Sequence, residues 1–318
     1  MSSIYFLLRI FSFGMMMLAA GVVSSQPYPD KPIRIIASEA GSEVDIAARK
    51  IAPAIAVPLG QPVIVDNRPG NISPEIVAKA KPDGYTLLMI AGSLWIQPLI
   101  QKTSYDPVKD ISPITIVYKY PLVVVVNPSV PAKSVTELIA LAKAKPGALN
   151  YGMGSTGGSS HLGAELFKSM AGLNVVQIKY KGSGPALNAL VAGEVQMMVN
   201  NIASAEPLIK SGRLRALAVT STKASPLDPG LPTVAETLPG YEFEQLLGAF
   251  TTAGTPAVIV NRLNQEIVRF IQRSEVKEQF LNAGAEVVGS TPEELSAFML
   301  ADMARMGKVI KDAGIHAE

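Results

Sequence analysis

Three short stretches place glycine and hydroxyl side chains directly before helix-forming sequence: Ser38-Glu39-Ala40-Gly41-Ser42, Ala91-Gly92-Ser93, and Gly154-Ser155-Thr156-Gly157-Gly158-Ser159-Ser160. A loop of this kind at a helix start offers backbone N–H groups, small hydroxyl donors and the positive end of the helix dipole. Together these accept an anion without Lys or Arg. The chemistry they suggest is capture rather than turnover. The catalytic patterns nearest to them are incomplete. Gly152-Met153-Gly154-Ser155-Thr156-Gly157 fits G-x-G-x-x-G, but a dinucleotide site wants an acid at the end of the next strand, about 20 residues on. That strand ends Gln177-Ile178-Lys179-Tyr180, with no carboxylate. A hydrolase elbow G-x-S-x-G around Ser155 fails because Met153 stands at the first glycine position. The third loop has no Lys for a P-loop. His161 follows it by one helical turn and reads as a helix-start residue hydrogen-bonded locally. His316 lies near the C-terminus, and no carboxylate pair marks a glycosidase.

The elements that would carry these loops alternate. Ile33–Ile36, Val63–Val65, Thr86–Ile90 and Leu122–Val126 are short apolar runs without polar alternation, as in strands buried on both faces of a parallel α/β sheet. A helix is expected over Asp45–Ala56, bent at Pro53. Ser134-Val135-Thr136-Glu137 is a capping box opening a helix over Val135–Lys145, and Thr291-Pro292-Glu293-Glu294 opens the last helix, from Pro292 to about Asp312. The middle of the chain has its own series: strands Ala148–Tyr151, Val175–Tyr180, Val195–Val199 and Leu214–Thr220, with helices His161–Ala171 and Pro185–Val191 between them. These imply two α/β lobes. Residues 26–125 plus 222–318 form a discontinuous first lobe and residues 126–221 a second, with crossings near Val123–Asn127 and Val219–Pro226. In such sheets ligands bind where loops leave the carboxyl ends of strands.

Composition narrows the function classes. The 318 residues carry a net charge of +2, two His and no Cys, with 48% apolar and 17% charged side chains. A disordered chain is excluded by the apolar content. Near-neutral charge argues against nucleic acid as a partner. The lack of Cys removes disulfides, thiolate zinc sites and thiol nucleophiles together. Neither a cofactor nor a metal is called for. Arg9 followed by the apolar run Ile10–Val23 and the small residues Ser24-Ser25 reads as a signal peptide over residues 1–25. The run falls short of the roughly 20 residues a spanning helix needs. Export from the cytoplasm is expected.

The order of motifs resembles the Bug-type extracytoplasmic receptors, the solute-binding components of tripartite tricarboxylate transporters. The resemblance runs from Tyr28-Pro29-Asp30-Lys31-Pro32 through Asn67-Arg68-Pro69-Gly70, Pro82-Asp83-Gly84-Tyr85, Ser159-Ser160-His161-Leu162, Tyr180-Lys181-Gly182, Pro232-Thr233-Val234-Ala235-Glu236 and Ala253-Gly254-Thr255-Pro256 to Gly307-Lys308-Val309-Ile310. It implies a two-lobed periplasmic-binding-protein fold, type II-like. Each lobe would be a mostly parallel sheet flanked by helices, with two crossover strands between them. It also implies a monomeric, non-enzymatic receptor for a small carboxylate, working with membrane permease subunits or with a membrane sensor. A hydrolase or isomerase on the same scaffold is the enzyme alternative. By position, the implied ligand residues are Ser38, Gly41, Ser42 and Ser93 from the first lobe. Ser155, Thr156, Gly157, Ser159, Ser160 and Asn200 come from the second. Two departures stand out. Ser42 and Glu43 follow Gly41 where the family has a second glycine, and Asn200 stands where an Asp is usual.

Overall fold

A computed structural model describes residues 28–70, 72–225 and 229–316. The signal-peptide assignment lies outside the described residues. Strands β1 (Ile33–Ala37), β2 (Val63–Asn67) and β3 (Thr86–Ala91) are parallel, with β1 in the middle. Helices α1 (Glu43–Leu59), α2 (Ser73–Ala78) and α3 (Ser93–Ile100) follow these three strands in turn. Helix α1 continues through Pro53 and stops at Gly60, whose φ of 67° closes the last turn in the left-handed region.

Strand β4 (Ile111–Val126) is 16 residues long and belongs to both parts of the sheet. Its first part pairs antiparallel with β9 (Glu244–Thr252), which in turn pairs antiparallel with β3. Its last five residues pair antiparallel with β7 (Met197–Asn201), and Val123–Val126 also pair antiparallel with β8 (Arg215–Val219). Beyond β7 come β5 (Asn150–Met153) and β6 (Val176–Lys179), both parallel. The hydrogen-bonded path is β2-β1-β3-β9-β4-β7-β5-β6, and β10 (Glu286–Val287) also pairs with β4. The architecture is therefore mixed: parallel sets at the two ends, joined through antiparallel pairs around β4 and β9. Helices flank it. Besides α1–α3 these are α4 (Val135–Ala144), α5 (Ser159–Ala171), α6 (Ser183–Ala192), α7 (Ile202–Lys210), α8 (Ala257–Ile271), α9 (Ser274–Asn282) and α10 (Pro292–Asp312).

The Val run of β4 shows why the alternation is missing. Leu122, Val124 and Val126 enter one core cluster with Tyr151, Phe167 and Phe250, while Val123 and Val125 enter another with Leu190 and Met198. Successive side chains point to opposite faces, and both faces are covered. The crossing into the second half is pinned by Thr220. Its Oγ1 accepts from Leu122 N (2.7 Å) and donates to Leu122 O (3.0 Å), and Thr220 N donates to the same carbonyl (2.9 Å). Lys31–Glu318 forms one compact unit. Both capping boxes are located, but they differ. At α10 the box is reciprocal. At α4 Ser134 accepts from Glu137 N, while the Glu137 carboxylate takes the Lys133 N–H instead. Among the described residues no helix is long and apolar enough to cross a membrane.

Candidate functional site

The three loops do not have the same electrostatics. At the first, Ser42 caps α1 by accepting from Asp45 N (3.2 Å), and the Ser38 and Ser42 hydroxyls are 2.8 Å apart. Asp45 is 3% exposed. Its carboxylate accepts from Gly41 N (2.8 Å) and Asn67 Nδ2 (2.8 Å) and pairs with Arg49 (2.9 Å). The Gly41 N–H, with the Asn67 amide and then Arg49, holds the Asp45 carboxyl down to about 2 against the opposing effect of burial. Asn67 Nδ2 also reaches Ser38 O (2.6 Å), so the end of β2 clamps the end of β1. With Glu43 and Asp45 in the first turn, the positive end of α1 is already matched by the chain's own carboxylates. Glu43 lines a separate small cavity with Tyr118, Tyr120 and Asn201.

Helices α3 and α5 begin differently. Neither has an acid in its first turn, and neither has a side-chain cap, the N-cap positions being Gly92 and Gly158. Their first-turn N–H groups and dipoles are thus uncompensated by side chains. Ser93, Gly157, Gly158 and Ser159 line one cavity of about 250 Å3 between them. The loop before α5 packs against the last residue of α3, and α5 itself packs against β7. A Cβ on Gly157, whose φ is +74°, would lie 2.4 Å from Ile100 Cδ1 at the end of α3. Gly163 of α5 sits so near Val199 that a Cβ there would come within 2.9 Å of Cγ1. The cavity walls are mainly apolar: Trp95, Leu162, Phe243, Leu246, Phe298 and Met306. Three polar groups complete it. Gln245 accepts the Tyr120 hydroxyl through Oε1, which leaves its amide N–H groups as donors. Asp302 accepts from Trp95 Nε1 (2.8 Å) and pairs with Arg305 (2.7 Å). Glu244 pairs with Lys119 at 3.9 Å, and burial pushes its carboxyl up. A second cavity of about 240 Å3 places Glu242, Glu244 and Glu286 against Lys119 and Lys223 and has no helix start in its wall. It suits an anion poorly.

Of the residues expected at the site, Ser93, Gly157 and Ser159 share this cavity. Gly157 contributes shape rather than a donor, because its N–H is donated to His161 Nδ1 (3.1 Å). Ser155 is exposed and Thr156 half-buried on the same loop. Ser160 is buried, and its Oγ accepts from Gly154 N (3.2 Å). Asn200 is 3% exposed and donates to Ser204 Oγ (2.9 Å), while its neighbour Asn201 caps α7 through Ala203 N (2.8 Å). Ser38, Gly41 and Ser42 stand together in the Asp45 network. The sequence reading missed Asp45, Asn67, Trp95, Phe243, Gln245 and Asp302. Asp45 had a signal, three residues after the capping Ser42. Phe243, Gln245 and Asp302 had none, since only folding brings β9 and α10 against the loops. Among the described residues no cluster of three or more acids or histidines is placed to hold a metal ion.

A family model described as "Tripartite tricarboxylate transporter family receptor" matches residues 47–315. Protein BugT of Bordetella pertussis is 34% identical over 312 residues, covering 95% of this chain and 96% of that protein. Among solved structures, R. palustris Rpa4515 with adipate superposes with a TM-score of 0.75 at 34% identity, covering 91% of this chain and 99% of that one. MatC from Rhodopseudomonas palustris with bound malate gives 0.70 at 27% identity, covering 89% and 100%. A match over most of the chain, by sequence and by shape, identifies this protein as a member of the tripartite tricarboxylate transporter family of receptors.

Proposed function

We propose that the chain is a periplasmic receptor that binds a small carboxylate between the starts of α3 and α5 and delivers it to a membrane permease. The observation that carries this reading is electrostatic. Two uncapped, acid-free helix starts face one cavity, whereas the start of α1 is neutralised internally. A carboxylate there would accept first-turn N–H groups and the Ser93 and Ser159 hydroxyls in place of water. Donors fixed beforehand lower the ordering cost of capture. In this reading the regions before and after the β4 crossing act as two lobes. The lobes close about β4 and the Thr220 strand and present a joined surface to the permease. The relatives with adipate and with malate make small dicarboxylates the first ligands to try.

Native mass spectrometry of the purified protein, followed by thermal unfolding with adipate, malate, citrate and aspartate, tests the reading. A ligand present at about 100 times its Kd raises Tm by roughly 4–5 °C in a chain of this size. No retained mass and no rise with any of the four would overturn it.

A further inference from the structure

His161 is one of only two histidines in the chain, and the site as described gives it no direct part. It is 2% exposed, at the third position of α5. Its Nδ1 accepts the Gly157 N–H at 3.1 Å, so the ring is neutral with its proton on Nε2. Nε2 is buried and makes no hydrogen bond of normal geometry, although the Gln177 side chain faces the ring. A helix-capping or packing role would be served by many side chains. A buried N–H left unpaired is a cost, and the acceptor on the other side of the ring is what offsets it. That acceptor holds the one glycine of the loop with φ in the left-handed region, the one seated on Ile100.

We propose that neutral His161 is the positioning residue of the ligand loop, its Nδ1 holding Gly157 so that the first turn of α5 faces the cavity. The proposal rests on the cavity being the binding site. On protonation Nδ1 becomes a donor facing the Gly157 N–H, and the loop loses its anchor. Burial disfavours that protonation and holds the ring below its ordinary range. The surrounding groups act in both directions. Glu165 from α5 favours the charged ring, but it is bound by Lys168 (2.6 Å) and by the Tyr151 hydroxyl from β5 (2.5 Å). Gln177 from β6 favours the charged ring as well, while Lys168 and Lys179 of β6 oppose it. The dipole of α5 opposes it too. Asp312 of α10 lies across the open cavity that Glu165 and Lys168 line.

Two histidines make the test direct. In ligand-free protein, imidazole nitrogen NMR between about pH 5 and about pH 8 spans the range where an ordinary ring titrates. It should find His161 in the Nε2–H form, titrating below the ordinary histidine range, with the Gly157 amide moving at the same midpoint. An Nδ1–H ring, or a Gly157 amide indifferent to the ring, overturns the proposal whatever binds. Adipate titration of variants is the second arm. Asn carries an oxygen at the position of Nδ1, so His161→Asn should bind within about threefold of wild type near pH 7, without the weakening that protonation of His161 should bring to wild type in acid. His161→Phe should bind about tenfold more weakly, the size of one hydrogen bond. Unchanged affinity in His161→Phe overturns the proposal. If no carboxylate binds even the wild type, the receptor reading fails and the NMR result stands on its own.

Discussion

Asp45 illustrates how one residue can redirect a loop. Its carboxylate takes the Gly41 N–H that an anion would otherwise use, and it fixes the Asn67 amide and the Arg49 guanidinium. Its folded pKa, about 2, lies below its unfolded value. The stability it contributes is therefore present above the unfolded value and is lost as pH falls through about 2. Asp45→Asn leaves one oxygen for three donors and sets an NH2 group against the remainder, so its Tm at neutral pH should fall by several degrees. The gap to wild type should close as both are acidified toward pH 2, and a gap independent of pH would remove the electrostatic explanation. Ser42 and Asp45 were readable as a helix start, and the Ser38 loop as a turn. That the turn is closed on itself depended on Asn67 arriving from β2.

At the scale of elements, the useful pair is α3 and α5. Each was announced by a glycine-rich loop, and α5 by its apolar spacing as well. The extent of α3 was not legible, because Pro98 falls inside its eight residues. The first half of β4 was missed for a similar reason. Pro113 and Pro121 break the run; the strand shifts register on either side of Thr115–Ile116, next to Pro113, while Pro121 pairs in register with Glu244 at the end of β9. Strand β9, which supplies Gln245, contains Gly248, whose absent side chain leaves room for the Phe250 ring. A test belongs to this scale. Ser159→Phe places a ring in the cavity at the first residue of α5, where the wall already has open space. It should leave the Tm of the free protein within a few degrees and abolish the ligand-induced rise. A full rise in that variant would move the site elsewhere.

Across the whole molecule, β4 and Thr220 hold the two parts of the sheet together. The Leu122 N–H is buried and finds its acceptor in Thr220 Oγ1. Thr220→Val keeps the shape and removes that acceptor. The cost is expected near 1–3 kcal/mol, read as a lower urea midpoint with an unchanged m-value. A larger loss, or a second unfolding step, would show that the crossing does more than close one hydrogen bond.

The sequence alone determined the α/β class, most strand positions in the middle of the chain, both termini of α10 and the family. These rest on local causes: β-branched runs, caps and breakers act within a few residues of themselves. It also narrowed the site to loops at helix starts, because N–H groups and dipoles are properties of any helix start. Which starts are open to a ligand was decided by tertiary structure. Asp45 and Asn67 close the first loop, Ile100 seats Gly157, His161 takes its N–H, and Gln245 and Asp302 reach the cavity from elements distant in the chain. Burial and charge pairing depend on neighbours that only the folded chain supplies.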